Sequence, residues 1–148
     1  MSSNYILQTE DTRFRPVSID DAEFIVRLRN QKHARGAIHD TSLDVDKQKQ
    51  WIKDYLERDN EYYWIMEDLN GNPFGTNSFY HYDANKAQME QGRWVQMAGF
   101  DARVSLSREI VMKDFAFYVL ELSKVVGDVV STNKQVLKYN KFIGAKTC

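Results

Sequence analysis

Two arginines and two serines stand close together in the second half of the chain, where a strand pattern gives way to a helix pattern. They are Arg103, Ser105, Ser107 and Arg108. The first turn of a helix leaves backbone N–H groups outside the helical ladder, and these groups attract phosphates and other anions, as arginine side chains do. The junction is therefore a candidate anion site. The alternative is that the serines only cap the helix and the arginines are solvated.

Other chemistries have little support in the residue pattern. The histidines His33, His39 and His81 have no cysteine nearby and no carboxylate at the spacing of a metal ligand, so no metal site is expected. Cys148 is the last residue and no Gly-x-Ser-x-Gly segment is present, which disfavours a nucleophilic triad. The chain also has no Walker loop and no Gly-x-Gly-x-x-Gly motif, so the usual nucleotide cradles are not expected.

Composition predicts one cytoplasmic domain over residues 1–148. The chain has 20 Lys and Arg against 21 Asp and Glu, and 43% of its residues are hydrophobic. A near-neutral charge gives no general attraction to nucleic acid or to anionic membranes, so neither is expected as a partner. No apolar segment approaches the ~20 residues of a membrane span. The polar first residues and the single cysteine favour a reducing, cytoplasmic location.

Residue periodicity predicts the element order β-α-α-β-β-β-α-β-α. The predicted strands cover 12–17, 62–67, 74–82, 88–100 and 125–130; the predicted helices cover 20–30, 44–58, a stretch from Ser105 or Ser107 to about 122, and a stretch from Thr132 or Asn133 to 141. Asp20 is the expected cap of the first helix. Antiparallel strands come first and a β-α-β-α unit follows, which predicts an α+β domain in α/β/α layers around a mixed, mainly antiparallel sheet.

Four segments match short motifs of one known family. They are Arg27-Leu-Arg-Asn30, Gln48-Lys-Gln-Trp-Ile52, Glu90-Gln-Gly-Arg-Trp-Val95 and the stretch from Asn133 to Gly144. The corresponding motifs are Arg-x-Arg-Asn, His-x-x-Trp-Ile/Phe, Glu-x-Gly-Tyr-x-Ile and Asn-(x)₁₀-Gly-Phe. In this order and spacing the segments resemble the GNAT superfamily of acyl-CoA-dependent N-acetyltransferases. The resemblance is strongest to the branch of ribosomal-protein N-terminal and amino-sugar acetyltransferases.

The resemblance implies a site for acetyl-CoA as co-substrate. In the GNAT fold, acyl-CoA lies where two strands splay apart, and its pyrophosphate lies at the start of the next helix. The expected cofactor-binding residues are Val95, Gln96, Met97 and Ala98 on the strand, Arg103, Val104, Ser105, Leu106, Ser107 and Arg108 on the loop, and Asn133 and Asn140 in the closing motif. Ser105 and Ser107 stand where the family's loop has glycines.

The catalytic groups follow from what N-acetylation needs: a neutral amine, a polarised carbonyl and a proton for the leaving thiolate. Glu90 is the expected base, and its alternative is an exposed carboxylate at a strand end. His81, with an ordinary pKa near ~6.5, is a second candidate or a surface histidine. Relatives carry a proton-donating tyrosine at the position that Asn140 occupies here. Tyr139 is the neighbouring residue, and it either takes that role or packs in the structure.

The resemblance implies an acceptor site as well. Arg27, Arg29 and Asn30 are expected to form its wall, unless Asn30 only ends the helix and the arginines lie over apolar surface. The acceptor is a small-molecule amine such as an amino sugar, or a protein N-terminus. Trp51, Tyr62, Tyr63 and Trp64 either stack on a sugar ring or pack in the core.

The chain stops before two strands that relatives add at their C-terminus. This leaves an open sheet edge, so a homodimer is expected. A second hypothesis follows from the same feature and from the serines in the loop. In it, the domain is a catalytically degenerate GNAT-like fold that acts as a binding or homodimeric interaction module.

Overall fold

The computed structural model describes residues 4–31, 34, 42–99, 102–128 and 133–146. Its strands are β1 (Leu7–Gln8), β2 (Arg13–Pro16), β3 (Tyr62–Glu67), β4 (Pro73–Asp83), β5 (Gln88–Gln96) and β6 (Lys124–Val126), and its helices are α1 (Ala22–Arg29), α2 (Val45–Leu56), α3 (Ala102–Asp114) and α4 (Lys134–Phe142). A 3₁₀ turn over Ile19–Asp21 precedes α1, and a π-helical turn over Phe115–Val119 continues α3. Several features discussed above lie outside the described residues: His33, His39, Thr132, Cys148 and the end of the strand predicted at 125–130.

The six strands form one sheet in the order β1-β2-β3-β4-β5-β6. Every neighbouring pair is antiparallel except β5 and β6, which are parallel. Helices α1 and α2 cover one face through a core that includes Ile25, Leu28 and Ile52. Helix α3 and the π-helical turn cover the other face through Met112 and Phe115. The predicted α/β/α layers and the mixed, mainly antiparallel sheet are therefore confirmed.

The first strand of the sheet was not predicted. Strand β1 has only two residues, Leu7 and Gln8, which pair with Phe14 and Arg13, and two residues are too few to show a period. Strand β2 is consequently an inner strand of the sheet, between β1 and β3. Pro16 is tolerated because it lies beyond the end of β1 and needs no N–H bond on that side.

The observed helix starts agree in part with the predicted ones. The Asp21 carboxylate, rather than that of Asp20, closes the start of the first helix, since it accepts the Ser18 N–H at 2.8 Å. Asp44 accepts the N–H groups of Asp46 and Lys47 at the start of α2. Asn133 accepts the Val136 N–H at the start of α4, as its predicted role requires.

Helix α3 begins earlier than predicted and removes the expected loop. It starts at Ala102, so Ser105 and Ser107 lie inside the helix and cannot cap it, because a cap residue has a non-helical backbone. The segment from 102 to 109 contains no glycine and includes Ala, Leu, Glu and two Arg, which are strong helix formers. Intrinsic helix propensity therefore prevails here over the loop that the family pattern implied.

Strand β5 leaves β6 after a short pairing. The two strands pair from Gln88 to Glu90, and β5 then continues to Gln96 beside β4 only. The strand ends before residue 100, and Gly99 makes the following turn with a φ of +99°. The pairing of β4 and β5 shifts register between Thr76 and Ser78, and Ser78 pairs with Gly92, so an irregularity of β5 begins at Gly92. Within the described residues, β5 thus has an edge that β6 does not cover beyond Glu90.

No helix in the described part of the chain is long and apolar enough to cross a membrane.

Candidate functional site

Strand β5 carries two clusters of polar and aromatic residues, one on each face of the sheet, because side chains along a strand alternate between faces. The Glu90 cluster, on the side of α1 and α2, consists of Arg29, Tyr63, Tyr80, His81, Glu90 and Arg93. The Arg108 cluster, on the side of α3 and α4, consists of Gln91, Trp94, Arg108, Glu109, Lys113 and Tyr139.

Glu90 lies between two side chains from β4. Its Oε2 is 2.8 Å from Nδ1 of His81, and its Oε1 accepts the Tyr80 hydroxyl at 3.4 Å. The Glu90 side chain is 21% exposed, whereas that of His81 is 74% exposed. The structure therefore brings together two of the three predicted catalytic residues, with His81 between Glu90 and solvent. Glu90 is also the last β5 residue that pairs with β6.

The Tyr80 side chain occupies the space beside Gly92, where a larger residue would place its own side chain. A Cβ built at Gly92 would lie 2.1 Å from the Tyr80 hydroxyl oxygen and 2.9 Å from Cζ. Burial, with a further contribution from the negative charge of Glu90, raises the pKa of Tyr80 to about 12. The phenol consequently stays protonated at neutral pH and can donate to the Glu90 carboxylate.

The raised pKa of Tyr80 predicts a specific loss of stability in alkali. Below the pKa of an unfolded tyrosine, ~10, both folded and unfolded chains hold the phenol proton, and the full stability is present. From there to a pH of about 12, the unfolded chain loses this proton first, so the folded state is progressively disfavoured. We expect Tyr80→Phe to lose less unfolding free energy than wild type across this window.

Urea unfolding of both proteins at several pH values checks this expectation. Tyr118→Phe is a suitable control, because Tyr118 is 82% exposed and should leave the alkaline decline of the wild type in place. Parallel declines for wild type and Tyr80→Phe would contradict the assignment.

Arg93 occupies the centre of the Glu90 cluster and was not predicted as a site residue. Its guanidinium carbon lies 4.2 Å from the ring centre of Tyr80 and 4.8 Å from that of Trp51. One nitrogen, Nη1, binds Glu61 and the Ser78 hydroxyl, each at 2.9 Å. Arg93 adopts a φ of +51° beside the irregularity at Gly92. This bulge turns Arg93 toward α2, and it depends on strand register that no local pattern reveals.

Of the three residues predicted for the acceptor wall, only Arg29 belongs to the Glu90 cluster. Burial lowers the pKa of Arg29, and the nearby charge of Arg93 acts in the same direction. Arg27 instead lies 5.8 Å from the ring centre of Phe24. The Asn30 side chain donates to the Val26 carbonyl at 2.9 Å and ends α1.

The predicted aromatic platform is divided between the two faces of the sheet. Trp51 and Tyr63 lie beside Arg93, with their rings 5.6 Å apart. Tyr62 and Trp64 instead pack on Phe115 on the opposite face. Only the first pair can contribute to a site at Glu90.

The second cluster is built around a buried arginine. Arg108 is 1% exposed, and its guanidinium carbon lies 3.7 Å from the ring centre of Trp94. Its Nη2 donates to Glu109 at 2.8 Å. The Tyr139 phenol lies close enough to interact with the guanidinium, but neither Nε nor Nη1 has a partner with hydrogen-bond geometry among the described residues. Such unsatisfied buried donors are uncommon in folded proteins and call for an explanation.

Lys113 and Tyr139 complete this cluster. Lys113 binds Gln91 at 2.6 Å and also contacts the Glu109 carboxylate. The Tyr139 hydroxyl donates to the Ser105 carbonyl at 3.1 Å, and its ring lies 5.4 Å from that of Trp94. Tyr139 therefore faces β5 and the start of α3. Burial raises the pKa of its phenol.

The other predicted cofactor residues lie at the end of β5 and at the helix starts. The Met97 N–H is committed to the Phe74 carbonyl at 2.8 Å, so it is not available to a ligand. Val95 is buried in the core, Ala98 is exposed in the turn, and Arg103 is exposed on the first turn of α3. The remaining four are half-buried: Gln96, Val104, Leu106 and Asn140.

Two further observations concern the rest of the described residues. An open cavity of about 510 Å³ lies beside Ile6, Arg13 and Leu69, and it shares no residue with either cluster. No group of three His, Cys, Asp or Glu residues that could hold a metal ion occurs in the described ranges.

Comparison with known proteins identifies the family. A family model described as the acetyltransferase (GNAT) domain matches residues 11–146. The chain belongs to the GNAT family. The apo structure of FdhC, described as a nucleotide-linked sugar GNAT, is 26% identical, with a TM-score of 0.86 over 99% of this chain and 84% of that chain. Spermidine N-acetyltransferase SpeG from Vibrio cholerae (N152L mutant) is 16% identical, with a TM-score of 0.74 over 92% and 80%. No curated protein matches the chain.

GNAT domains use acetyl-CoA as co-substrate, and the residues of this GNAT domain fit its anionic part through side chains rather than backbone. The helical N–H groups of Leu106, Ser107 and Arg108 lie beyond the first four of α3, so they are engaged within the helix. The two unpartnered nitrogens of Arg108 lie on this same helix. The side chains of α3 that could contact a phosphate group here are the exposed Arg103 and, beneath Trp94, the buried Arg108.

Proposed function

We propose that this GNAT domain is an acetyl-CoA-dependent N-acetyltransferase that acetylates the primary amine of an amino sugar carried on a nucleotide. The observation that carries the proposal is the position of Glu90, which lies between Tyr80 and His81 where β6 leaves β5. A half-buried carboxylate at a gap in a sheet, with an exposed histidine beside it, is suited to removing a proton from an amine.

Each residue has a defined task in this proposal. When bound, acetyl-CoA supplies the acetyl group as a thioester. Glu90 takes the proton of the attacking amine, and His81 passes it to solvent, because Nδ1 is 2.8 Å from the carboxylate and the ring is largely exposed. Tyr139 holds a proton on its phenol at neutral pH, since burial raises its pKa, and it is the candidate donor to the thiolate.

The guanidinium groups of the Glu90 cluster support a phosphate-bearing acceptor. Arg29 and Arg93 both lie on this face, and guanidinium groups are well matched to phosphate oxygens. Glu90 and Glu61, which pairs with Arg93, lie on the same face, so the net charge of the cluster does not by itself select the acceptor. FdhC, at 26% identity, is described as acting in the class of nucleotide-linked sugars. The likeness to SpeG, at 16% identity, concerns the fold alone.

An assay with purified protein tests the proposal. Thiol release from acetyl-CoA is followed with a nucleotide-linked amino sugar, the free amino sugar, spermidine and a peptide with a free N-terminus. We expect turnover with the nucleotide-linked amino sugar and little with spermidine. Turnover of the peptide alone would assign the domain to protein N-terminal acetylation, and turnover of spermidine alone would overturn the acceptor class.

One observation favours the second hypothesis, a domain that binds partners without catalysis. Helix α3 is continuous through the segment in which GNAT relatives have a glycine loop. If this helical segment prevents cofactor binding, calorimetry will detect no heat with acetyl-CoA up to about millimolar concentration, where binding free energies fall to ~4 kcal/mol.

We also propose a cytoplasmic homodimer. Strand β6 has three residues, and in the described part of the chain it pairs only with β5. An uncovered strand edge is commonly paired or protected. Light scattering should give twice the 17.4 kDa mass of the chain, and a mass that stays monomeric at high concentration would exclude the dimer.

A further inference from the structure

Arg93 belongs to the Glu90 cluster but has no task in the proposed proton transfer, because a guanidinium stays charged at neutral pH. It occupies the position at which the family motif Glu-x-Gly-Tyr-x-Ile has a tyrosine, so that motif does not explain it. Its backbone is left-handed, with a φ of +51°, which is uncommon for a long side chain. His81, in the same cluster, has a φ of +55°. Left-handed residues other than glycine persist where their contacts hold them, and they are concentrated at functional sites.

The Arg93 guanidinium is held by aromatic rings and by hydrogen bonds. Its carbon lies 4.2 Å from the ring centre of Tyr80 and 4.8 Å from that of Trp51. Its Nη1 donates to Glu61 and to the Ser78 hydroxyl, each at 2.9 Å. A cation over an aromatic face is attracted to the ring, and more strongly where water is excluded. Since these partners belong to α2, to β4 and to the segment between α2 and β3, the side chain has a fixed position.

Tyr80 connects this fixed guanidinium to the proposed base. Its hydroxyl donates to Oε1 of Glu90 at 3.4 Å, while Oε2 of Glu90 contacts the largely exposed His81. One carboxylate oxygen is thus oriented by a phenol whose ring lies against Arg93. A base must lie within hydrogen-bond reach of the proton that it removes, and a displacement of about 1 Å can cost ~100-fold in rate. The direction of the Glu90 carboxylate therefore matters for the reaction.

We propose that Arg93 is a positioning residue for the general base: it stacks on Tyr80, holds the phenol against Glu90 and so fixes the direction of the carboxylate. This inference rests on the proposed function. Arg93 takes no proton and acts only through Tyr80.

Steady-state kinetics with the amine varied tests the inference on Arg93→Met, Arg93→Lys and Arg58→Met. Arg58 is the matched control: its guanidinium also lies over Trp51, at 5.3 Å, and also binds Glu61, at 3.3 Å, but it makes no contact with Tyr80 among the described residues. We expect Arg93→Met to lower kcat by about 10- to 100-fold without changing KM, because the base is misplaced. Arg93→Lys keeps the charge but not the planar group, so its kcat should lie between. Arg58→Met should have the kcat of wild type.

A kinetic double-mutant cycle with Glu90→Gln separates positioning from a purely structural role. If Arg93 acts through Glu90, Arg93→Met should cost nothing further in kcat once the carboxylate is gone. A structural role instead predicts the same fold-loss with glutamate and with glutamine at residue 90. If Arg93→Met fails to fold, Arg93→Lys completes the same cycle.

Three results would overturn the inference. The first is a wild-type kcat in Arg93→Met, and the second is an equal loss in the two backgrounds. The third is a rise in KM confined to the nucleotide-linked amino sugar and absent with the free amino sugar, which would assign Arg93 to the phosphate of the acceptor.

The proposed function has a separate fate. Wild-type turnover together with any of these three results keeps the enzyme and rejects the positioning role. If no amine is turned over, the enzyme is rejected, and urea unfolding of Arg93→Met, Tyr80→Leu and the double variant measures the coupling between the two side chains. Additive effects would then reject Arg93 as the residue that holds Tyr80, whereas a coupling would keep it.

Discussion

Glu90→Gln is expected to lower kcat/KM for the amine by about 10²- to 10⁴-fold, the usual contribution of a positioned acid or base. The amide keeps the size of the carboxylate and can still accept the Tyr80 hydroxyl, which lies 3.4 Å away. It cannot accept a proton from the amine. Because Glu90 lies on the face of β5 opposite the Arg108 cluster, CoA binding should stay as in wild type.

Steady-state kinetics with the amine varied, together with calorimetry for CoA, checks this prediction. Glu57→Gln is the matched control, since Glu57 is exposed at the end of α2 and should leave kcat/KM unchanged. His81→Asn should cost less than Glu90→Gln, because water can replace an exposed proton carrier. An active Glu90→Gln enzyme would show that Glu90 is only a strand-end carboxylate.

The arrangement around Glu90 could be predicted in part from the sequence. A turn at 83–86 joins two strands, and counting outward from it places residues near 80 opposite residues near 90. The structure pairs Tyr80 with Glu90, and His81 follows next to it. Glu90 and His81 were predicted from their chemistry and from their positions near the ends of neighbouring strands. Hairpin counting would have added Tyr80, which was missed.

Arg93 could not be predicted in this way. Strict alternation along β5 assigns Arg93 and Gln91 to the same face, yet Gln91 contacts Lys113 on α3 and Arg93 contacts Trp51 on α2. The irregularity at Gly92 and the φ of +51° at Arg93 separate them. A bulge reflects the packing of two strands and their neighbours, so a single-strand pattern does not reveal it.

At the start of α3 the local sequence predicted the structure correctly, whereas the family pattern did not. The family pattern implied a loop whose arginines bind the cofactor, and the alternative was that they are solvated, because charged side chains are seldom fully buried. Local propensity favoured a helix from Ala102, and the structure follows it. Within the helix, Arg108 stacks on Trp94 and forms an ion pair with Glu109. These two contacts offset part of the free-energy cost of burying the guanidinium charge. Tertiary partners, which the sequence does not display, decide this residue's environment.

Strand β5 contributes residues to both clusters. Residues 90 and 93 lie on the side of α1 and α2, while residues 91 and 94 lie on the side of α3 and α4. The proposed acyl transfer requires the acceptor and the acyl donor to meet, and the stretch of β5 beyond Glu90, which β6 leaves uncovered in the described residues, lies between the two clusters.

Gly92→Ala is expected to destabilise the protein by roughly 1–3 kcal/mol, the range for overpacking a filled site. The added Cβ would lie 2.1 Å from the Tyr80 hydroxyl oxygen and 2.9 Å from Cζ, so the ring must move. Moving it breaks the contact with Glu90 and withdraws the ring from Arg93, 4.2 Å away. The same substitution should therefore lower kcat/KM for the amine.

A double-mutant cycle assigns this cost to Tyr80. Tyr80→Ala removes the ring that the new methyl would meet, so Gly92→Ala should cost little in that background, and urea unfolding of the four proteins gives the coupling. Gly127→Ala is the control, since its Cβ would approach only the Gln91 carbonyl, at 3.3 Å. An equal cost of Gly92→Ala with and without the Tyr80 ring would place the strain in the β5 backbone. A large coupling free energy between the two substitutions would instead show that Gly92 is required because the Tyr80 ring lies against it beside Glu90.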